Sequence, residues 1–152
     1  MVATLQWQNS TGATESWSTI TWLRFKAADD NTDDAVNPLV KPSTGTNYSF
    51  EKWLRINISV APTTNVSNLN VLNSAASAPG VTESYGFTAT YATPVGTNSS
   101  VATTTLAVSE ISWSNAGTKT TTGAWGDLLV LQLDLSTSVS GGELGDWNTI
   151  AR

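Results

Sequence analysis

Apolar and polar positions alternate most regularly between Tyr48 and Ala61, YSFEKWLRINISVA. Tyr48, Phe50, Leu54, Ile56, Ile58 and Val60 share one parity; Ser49, Glu51, Trp53, Arg55, Asn57 and Ser59 share the other. A period of two marks a strand with one face on a core and the other on water or a partner. Lys52 is the one polar residue on the apolar side, and its long stem would let the ammonium reach out near the strand's end. The turn-rich stretch Asn37–Asn47 leads in, and Ala61–Asn65, containing Pro62, leads out. The pattern predicts a strand near the middle of a sheet.

Other stretches read the same way. Trp17–Ala28 carries apolar residues on both parities, which predicts a strand covered on both sides. Val66–Leu72 is a short strand. Glu83–Tyr91 puts Tyr85, Phe87, Ala89 and Tyr91 on one face, and Val101–Trp113 is a strand with a bend or bulge. Gly126–Leu135 is the most apolar: Leu129, Leu131, Leu133 and Leu135 share a face, while Leu128, Val130, Gln132 and Asp134 share the other, as in a buried strand. Gly141-Gly142 marks a turn before a tail, Glu143–Arg152, with Trp147 and Ile150. No stretch repeats apolar residues at helical spacing. The prediction is an all-β fold, an antiparallel β-sandwich or a jelly-roll-like barrel of about seven or eight strands. Residues 17–152 form one β domain. Met1–Ser16, with Val2, Leu5 and Trp7 among polar residues, is an extended arm that either pairs as an edge strand in its own domain or reaches onto a neighbouring subunit.

Composition narrows the function. The 152 residues hold only 12% charged side chains, against about 25% in an ordinary soluble domain. Seven basic residues, scattered, and a net charge of −5 argue against a nucleic-acid partner. Neither cysteine nor histidine occurs, which removes disulfides, thiol and Ser–His–Asp chemistry, and the commonest metal ligand. Glu51, Glu83 and Glu110 lack a spacing that pairs them as a glycosidase would need, and no phosphate-binding glycine loop is present. The reading is therefore not an enzyme, with no cofactor. Neither a signal peptide nor a membrane helix is expected.

Two features invite chemistry. The loop Asp29–Ala35 (DDNTDDA) gathers Asp29, Asp30, Asp33 and Asp34, weak candidates for Ca²⁺ ligands, although the glycine and later glutamate of an EF-hand are missing; the plainer reading is a solvated loop. Seven tryptophans are the second feature. They are open to three readings: core, subunit interface, or the sugar-stacking platform of a carbohydrate-binding module.

The run NPLVKPSTGTNYSFEKWLRINIS (Asn37–Ser59), the VSNLNVL strand, ATYATPV (Ala89–Val95) and the closing GAWGDLLVLQLDLSTSVSGGELG (Gly123–Gly145) resemble virion structural proteins of tailed double-stranded DNA bacteriophages. Within that group the likeness is to the decoration proteins that stud the capsid exterior. The resemblance implies a β domain that trimerises on the major capsid protein and cements the shell, with no nucleic acid or membrane partner. Val2, Leu5 and Trp7 are then expected as arm contacts, and Trp22, Trp53 and Arg55 at a subunit interface. On this view removing Met1–Ser16 weakens attachment and leaves the domain folded. Alternatives are a tail, neck or baseplate component, and a carbohydrate-binding module with a Trp platform.

Overall fold

The computed structural model describes residues 2–73 and 77–140, and the backbone of residues 149–151. Ten strands occur among them: β1 (Thr4–Ser10), β2 (Trp17–Ile20), β3 (Thr46–Tyr48), β4 (Lys52–Val60), β5 (Asn70–Asn73), β6 (Val81–Thr88), β7 (Thr104–Thr105), β8 (Ile111–Ser112), β9 (Gly123–Ser136) and β10 (Thr149–Ala151). Every pairing is antiparallel. Seven strands build one sheet in the order β2-β1-β4-β9-β6-β7, with β3 also on β9; β10-β5-β8 form a second. Ile56 and Ile58 of β4, Leu129 and Leu131 of β9, Val71 of β5 and Leu69 just before it share one buried cluster. The two sheets thus close on one core as a sandwich, the all-β antiparallel class that the alternation predicts.

The large sheet is covered on its other face as well. Trp53 and Val130, which point away from the main core, pack with Ala102, Tyr91 and Val101. The segment 89–102 crosses so closely that a Cβ on Gly86 of β6 would stand 1.9 Å from the Val101 carbonyl oxygen. β9 therefore needs apolar residues on both parities, and its sequence supplies them. Its one distortion is at Gly126, where the register slips between Leu54 and Ile56. Gly126 has φ +78°, and a Cβ there would lie 2.5 Å from the Trp113 ring, so only glycine lets the bulge seat the indole.

Elsewhere the elements are shorter than periodicity predicts, where backbone groups find hydrogen-bond partners outside a ladder. The Tyr48–Ala61 strand breaks after Tyr48, because the Phe50 and Glu51 amides turn outward to the carbonyls of Lys26 and Val95 (both 2.9 Å). The Trp17–Ala28 strand stops at Ile20. Beyond it Asn31 takes over as ladder partner, donating to the Trp22 carbonyl (3.1 Å) and accepting from the Arg24 amide (2.8 Å). Val101–Trp113 is not one strand: it yields β7 and β8, in different sheets. Tyr85 and Phe87 do face the main core, but β6 ends at Thr88, and Tyr91 turns to the opposite face against Trp53. The turn at Gly141-Gly142 and the tail side chains lie outside the described residues.

The N-terminal segment behaves differently from an arm. Residues Thr4–Ser10 form an interior strand, paired with β4 from Thr4↔Val60 to Ser10↔Trp53 and with β2 from Trp7↔Ile20 to Ser10↔Trp17. Of the two readings the one within its own domain holds, with the edge position taken by β2. Asn9 is buried and donates to the Trp53 carbonyl at 3.0 Å. A strand with neighbours on both sides cannot leave without stripping two ladders. Deleting residues 1–16 is accordingly expected to abolish the cooperative urea transition followed by tryptophan fluorescence. A deletion variant that still unfolds in one transition with an unchanged slope would show that β1 is dispensable after all.

Candidate contact surface

The six residues expected at interfaces separate into three environments. Trp53 is 1% exposed. Its indole donates to Glu51 Oε2 at 3.0 Å, and its ring stands 5.1 Å from Tyr91 in an edge-on arrangement. Such a residue has no surface to offer, so its interface assignment is corrected to core. The strand's polar parity misleads here because the 89–102 segment covers it. Trp7 is half-buried and packs against Trp113, centroids 5.8 Å apart. Arg55 is half-buried too. Its guanidinium lies 4.5 Å over the Trp17 ring and its Nε donates to Gln8 Oε1 at 2.7 Å. Burial lowers its pKa from the usual value, with Glu15 opposing. Trp17 in turn meets Tyr91 at 6.0 Å, so Arg55, Trp17, Tyr91 and Trp53 form one continuous stack within the chain.

Val2, Leu5 and Trp22 are the remainder, 87%, 40% and 45% exposed. The β1–β2 pairing ends at Trp7↔Ile20, and Leu5 and Trp22 each lie two residues beyond that open end of the hairpin. Arg24 stands 6.0 Å from the Trp22 ring and is ion-paired with Asp33. The corner is apolar, rimmed by a charge pair. Val36, Val40, Val95 and Val108 are also exposed. Sequence reasoning missed them, since a lone valine in a polar loop breaks no period.

As a sugar platform the tryptophans are poorly disposed. Trp53, Trp113 and Trp125 are buried, Trp7 packs on Trp113, and Arg55 covers Trp17. Trp22 is the one largely exposed tryptophan among the described residues. An open cleft of about 470 Å³ lies between Pro38–Val40, Thr46–Tyr48 and Gly96–Asn98; its polar groups are amides, hydroxyls and one phenol.

The acidic loop is not merely solvated: its carboxylates are bonded within the chain. Asp30 Oδ1 and Asp34 Oδ1 each lie 2.7 Å from Lys26 Nζ, and Thr32 Oγ1 accepts from the same ammonium at 3.0 Å. Asp33 pairs with Arg24, and Asp29 Oδ2 accepts the Gly12 amide at 2.5 Å. Each of the four carboxylates thus has an oxygen held by a donor of the chain itself, while, among the described residues, Asp29 Oδ1 is buried without a hydrogen-bond partner. Among the described residues no group of three or more His, Cys, Asp or Glu could hold a metal ion. Lys26 lies a few residues before the cluster, which is the sequence signal that could have identified it as the counter-charge.

Lys52 corrects a further expectation. Its stem does not reach out: the side chain is 0% exposed and Nζ donates to the Asp30 carbonyl at 2.6 Å. Burial pushes its pKa down to about 8, with Asp29 and Asp30 opposing.

The chain matches no known family model, no curated protein and no solved structure.

Two measurements check these placements. Trp53→Ala is expected to cost about 3–5 kcal/mol in urea unfolding, whereas Trp22→Ala stays within about 0.5 kcal/mol; equal losses would contradict the burial assignments. The second is a pH profile. The folded chain releases the Lys52 proton near pH 8, while the unfolded chain holds it to about 10.4. Above pH 8 the unfolded state binds more protons, so this group's contribution to stability rises with pH. The melting temperature of the native chain should gain a few degrees from pH 8 to about 10 relative to Lys52→Met. Parallel profiles would refute the buried ammonium.

Proposed function

We propose that this chain is a structural protein of a tailed-phage virion, a head decoration protein that binds the outside of the capsid shell and stabilises it by subunit contacts rather than by chemistry. The carrying observation is the exposure of three large apolar side chains, Val2, Leu5 and Trp22, the last two at the open end of the β1–β2 hairpin, on a chain whose other described tryptophans are engaged internally. Large apolar side chains left in water favour association, because each square ångström removed from water contributes about 25 cal/mol. The resemblance of Asn37–Ser59, Val66–Leu72, Ala89–Val95 and Gly123–Gly145 to such proteins supports the same reading. So does the position of β2, four uncharged residues (WSTI) at the edge of the sheet among the described residues, which another strand can extend. The partners on this reading are the major capsid protein and two further copies of the chain, since a threefold module matches a threefold position on a shell.

The test is titration of the purified chain onto undecorated shells, with its solution mass measured by light scattering. The expected result is a trimer that saturates shells at on the order of hundreds of copies per particle, as repeated surface positions require. Leu5→Asp and Trp22→Asp should each weaken attachment at least about tenfold, the effect of some 1.4 kcal/mol, with unchanged melting temperatures. Full attachment by both variants would remove the corner from the mechanism. Saturation at about a dozen copies, the stoichiometry of a symmetric ring, would make the chain a tail, neck or baseplate component.

A further inference from the structure

We propose that residues 29–36 form an acid-released latch, closed over the two buried lysines Lys26 and Lys52 by Asp30 and opened locally when the loop's carboxylates take up protons. Asp30 is gripped twice. Its carboxylate lies 2.7 Å from Lys26 Nζ, and its carbonyl accepts from Lys52 Nζ at 2.6 Å. Lys26 is 4% and Lys52 0% exposed, so neither ammonium has water to fall back on. Among the described residues the groups facing this pair are few. Asp34 meets Lys26 from the far side of the loop. Asp29 and Asp30 act on Lys52 through space. Asp29 is also anchored by the Gly12 amide, and Tyr91 stands near it with a hydroxyl bonded to the Gly12 carbonyl. Arg24 and Asp33 pair on the exposed outer side.

Two positive charges thus sit among three carboxylates. Protonating those carboxylates leaves two buried ammonium groups without counter-charge, and Lys26 already acts against the charged form of Lys52. Burial of unpaired charge is costly, and the loop offers a way out. Between Asp30 and Val36 it is tied down by side-chain bonds, through Asn31, Thr32 and Asp34. It contributes no strand to either sheet. The Ala27–Asn37 and Lys26–Pro38 pairings hold its base, and Asn37, at φ 53°, is the hinge. The loop can lift without breaking a ladder.

The sign follows from the carboxylates. Hydrogen bonds from Lys26 and Thr32 lower the pKa of Asp30 and bring Asp34 to about 2. The closed state is therefore favoured above the ordinary carboxylate range and lost as pH falls from about 4 towards 2.

Amide hydrogen exchange by NMR, read as protection factors across that range, tests the latch. The Thr32 and Val36 amides, bonded to Asp30 and Asp34, should lose protection by about tenfold per pH unit for each carboxylate that is protonated. Leu129 and Leu131 in β9 should stay protected. At pH 7, Asp34→Asn should already expose the Val36 amide by at least about tenfold, the equivalent of one pH unit, as should Asp30→Asn for Thr32. Asp33→Asn, on the outer ion pair, should keep the native profile. Loss of protection in the loop and in β9 at the same pH would overturn the latch. So would an Asp33→Asn profile displaced as far as that of Asp34→Asn.

Discussion

β9 is buried on both faces, and most of the molecule is arranged to make that possible. One face is met by the small sheet through Leu69 and Val71. The other is met by the 89–102 segment, which has no ladder of its own there and would bring bare peptide groups into the interior. Glu51 and Gln132 resolve this. Gln132 Nε2 donates to the carbonyls of Ser49 (2.9 Å) and Thr97 (2.7 Å), while its Oε1 accepts from the Ser99 amide (2.8 Å). Glu51 accepts from the Ser99 hydroxyl, the Val95 amide and the Trp53 indole. Ser99 Oγ receives the Val101 and Ala102 amides. Buried polar groups are tolerable only when satisfied, and three side chains here satisfy a whole crossing. Apolar substitution of any of them would strand several partners at once, which distinguishes this network from a surface pair.

The same crossing explains what was legible in the sequence. The strands with a strong period of two, around Ile56 and around Leu131, were readable because local pattern and burial agree. Both parities of the Gly126–Leu135 segment are apolar, and burial on both sides could be read from that. Trp53 could not be placed, because its neighbours on the same parity, Glu51 and Arg55, are charged, and nothing local reveals that a segment some forty residues later will cover them. β7, β8 and β10 are two or three residues long, below the length at which any period registers. Strand ends are not legible where a group distant in sequence replaces the ladder partner, as the Asn31 side chain does beyond Ile20 and the Lys26 and Val95 carbonyls do after Tyr48. The candidate surface is half legible: Val2, Leu5 and Trp22 are exposed, but that Leu5 and Trp22 flank the same end of a hairpin follows only from the pairing of β1 with β2.

Charge is scarce in this chain, and its location is informative. Five of the nineteen ionisable acidic and basic side chains meet around one site: Lys26, Lys52, Asp29, Asp30 and Asp34. Low overall charge leaves little long-range field, so this cluster acts locally, on the base of the loop that links the β1–β2 hairpin to β3 and β4. An apolar residue at position 52 would avoid the desolvation cost that lowers the lysine's pKa. The ammonium instead fixes where the Asp30 carbonyl must lie, which gives geometry in exchange for stability.

That arrangement bears on how the molecule can bind. The apolar corner and the latch share a segment: Trp22 is held by Asn31, and Arg24, beside the Trp22 ring, is held by Asn31 and Asp33. A contact side chain on an unrestrained loop must be ordered on binding, at a conformational cost of about 0.5–1.5 kcal/mol per side chain. Here the loop's own carboxylates and amide have already restricted the backbone on which Trp22 is mounted. Binding through this corner would therefore draw on apolar burial with less entropy lost. The acidic loop would contribute to affinity by holding the tryptophan's position in advance.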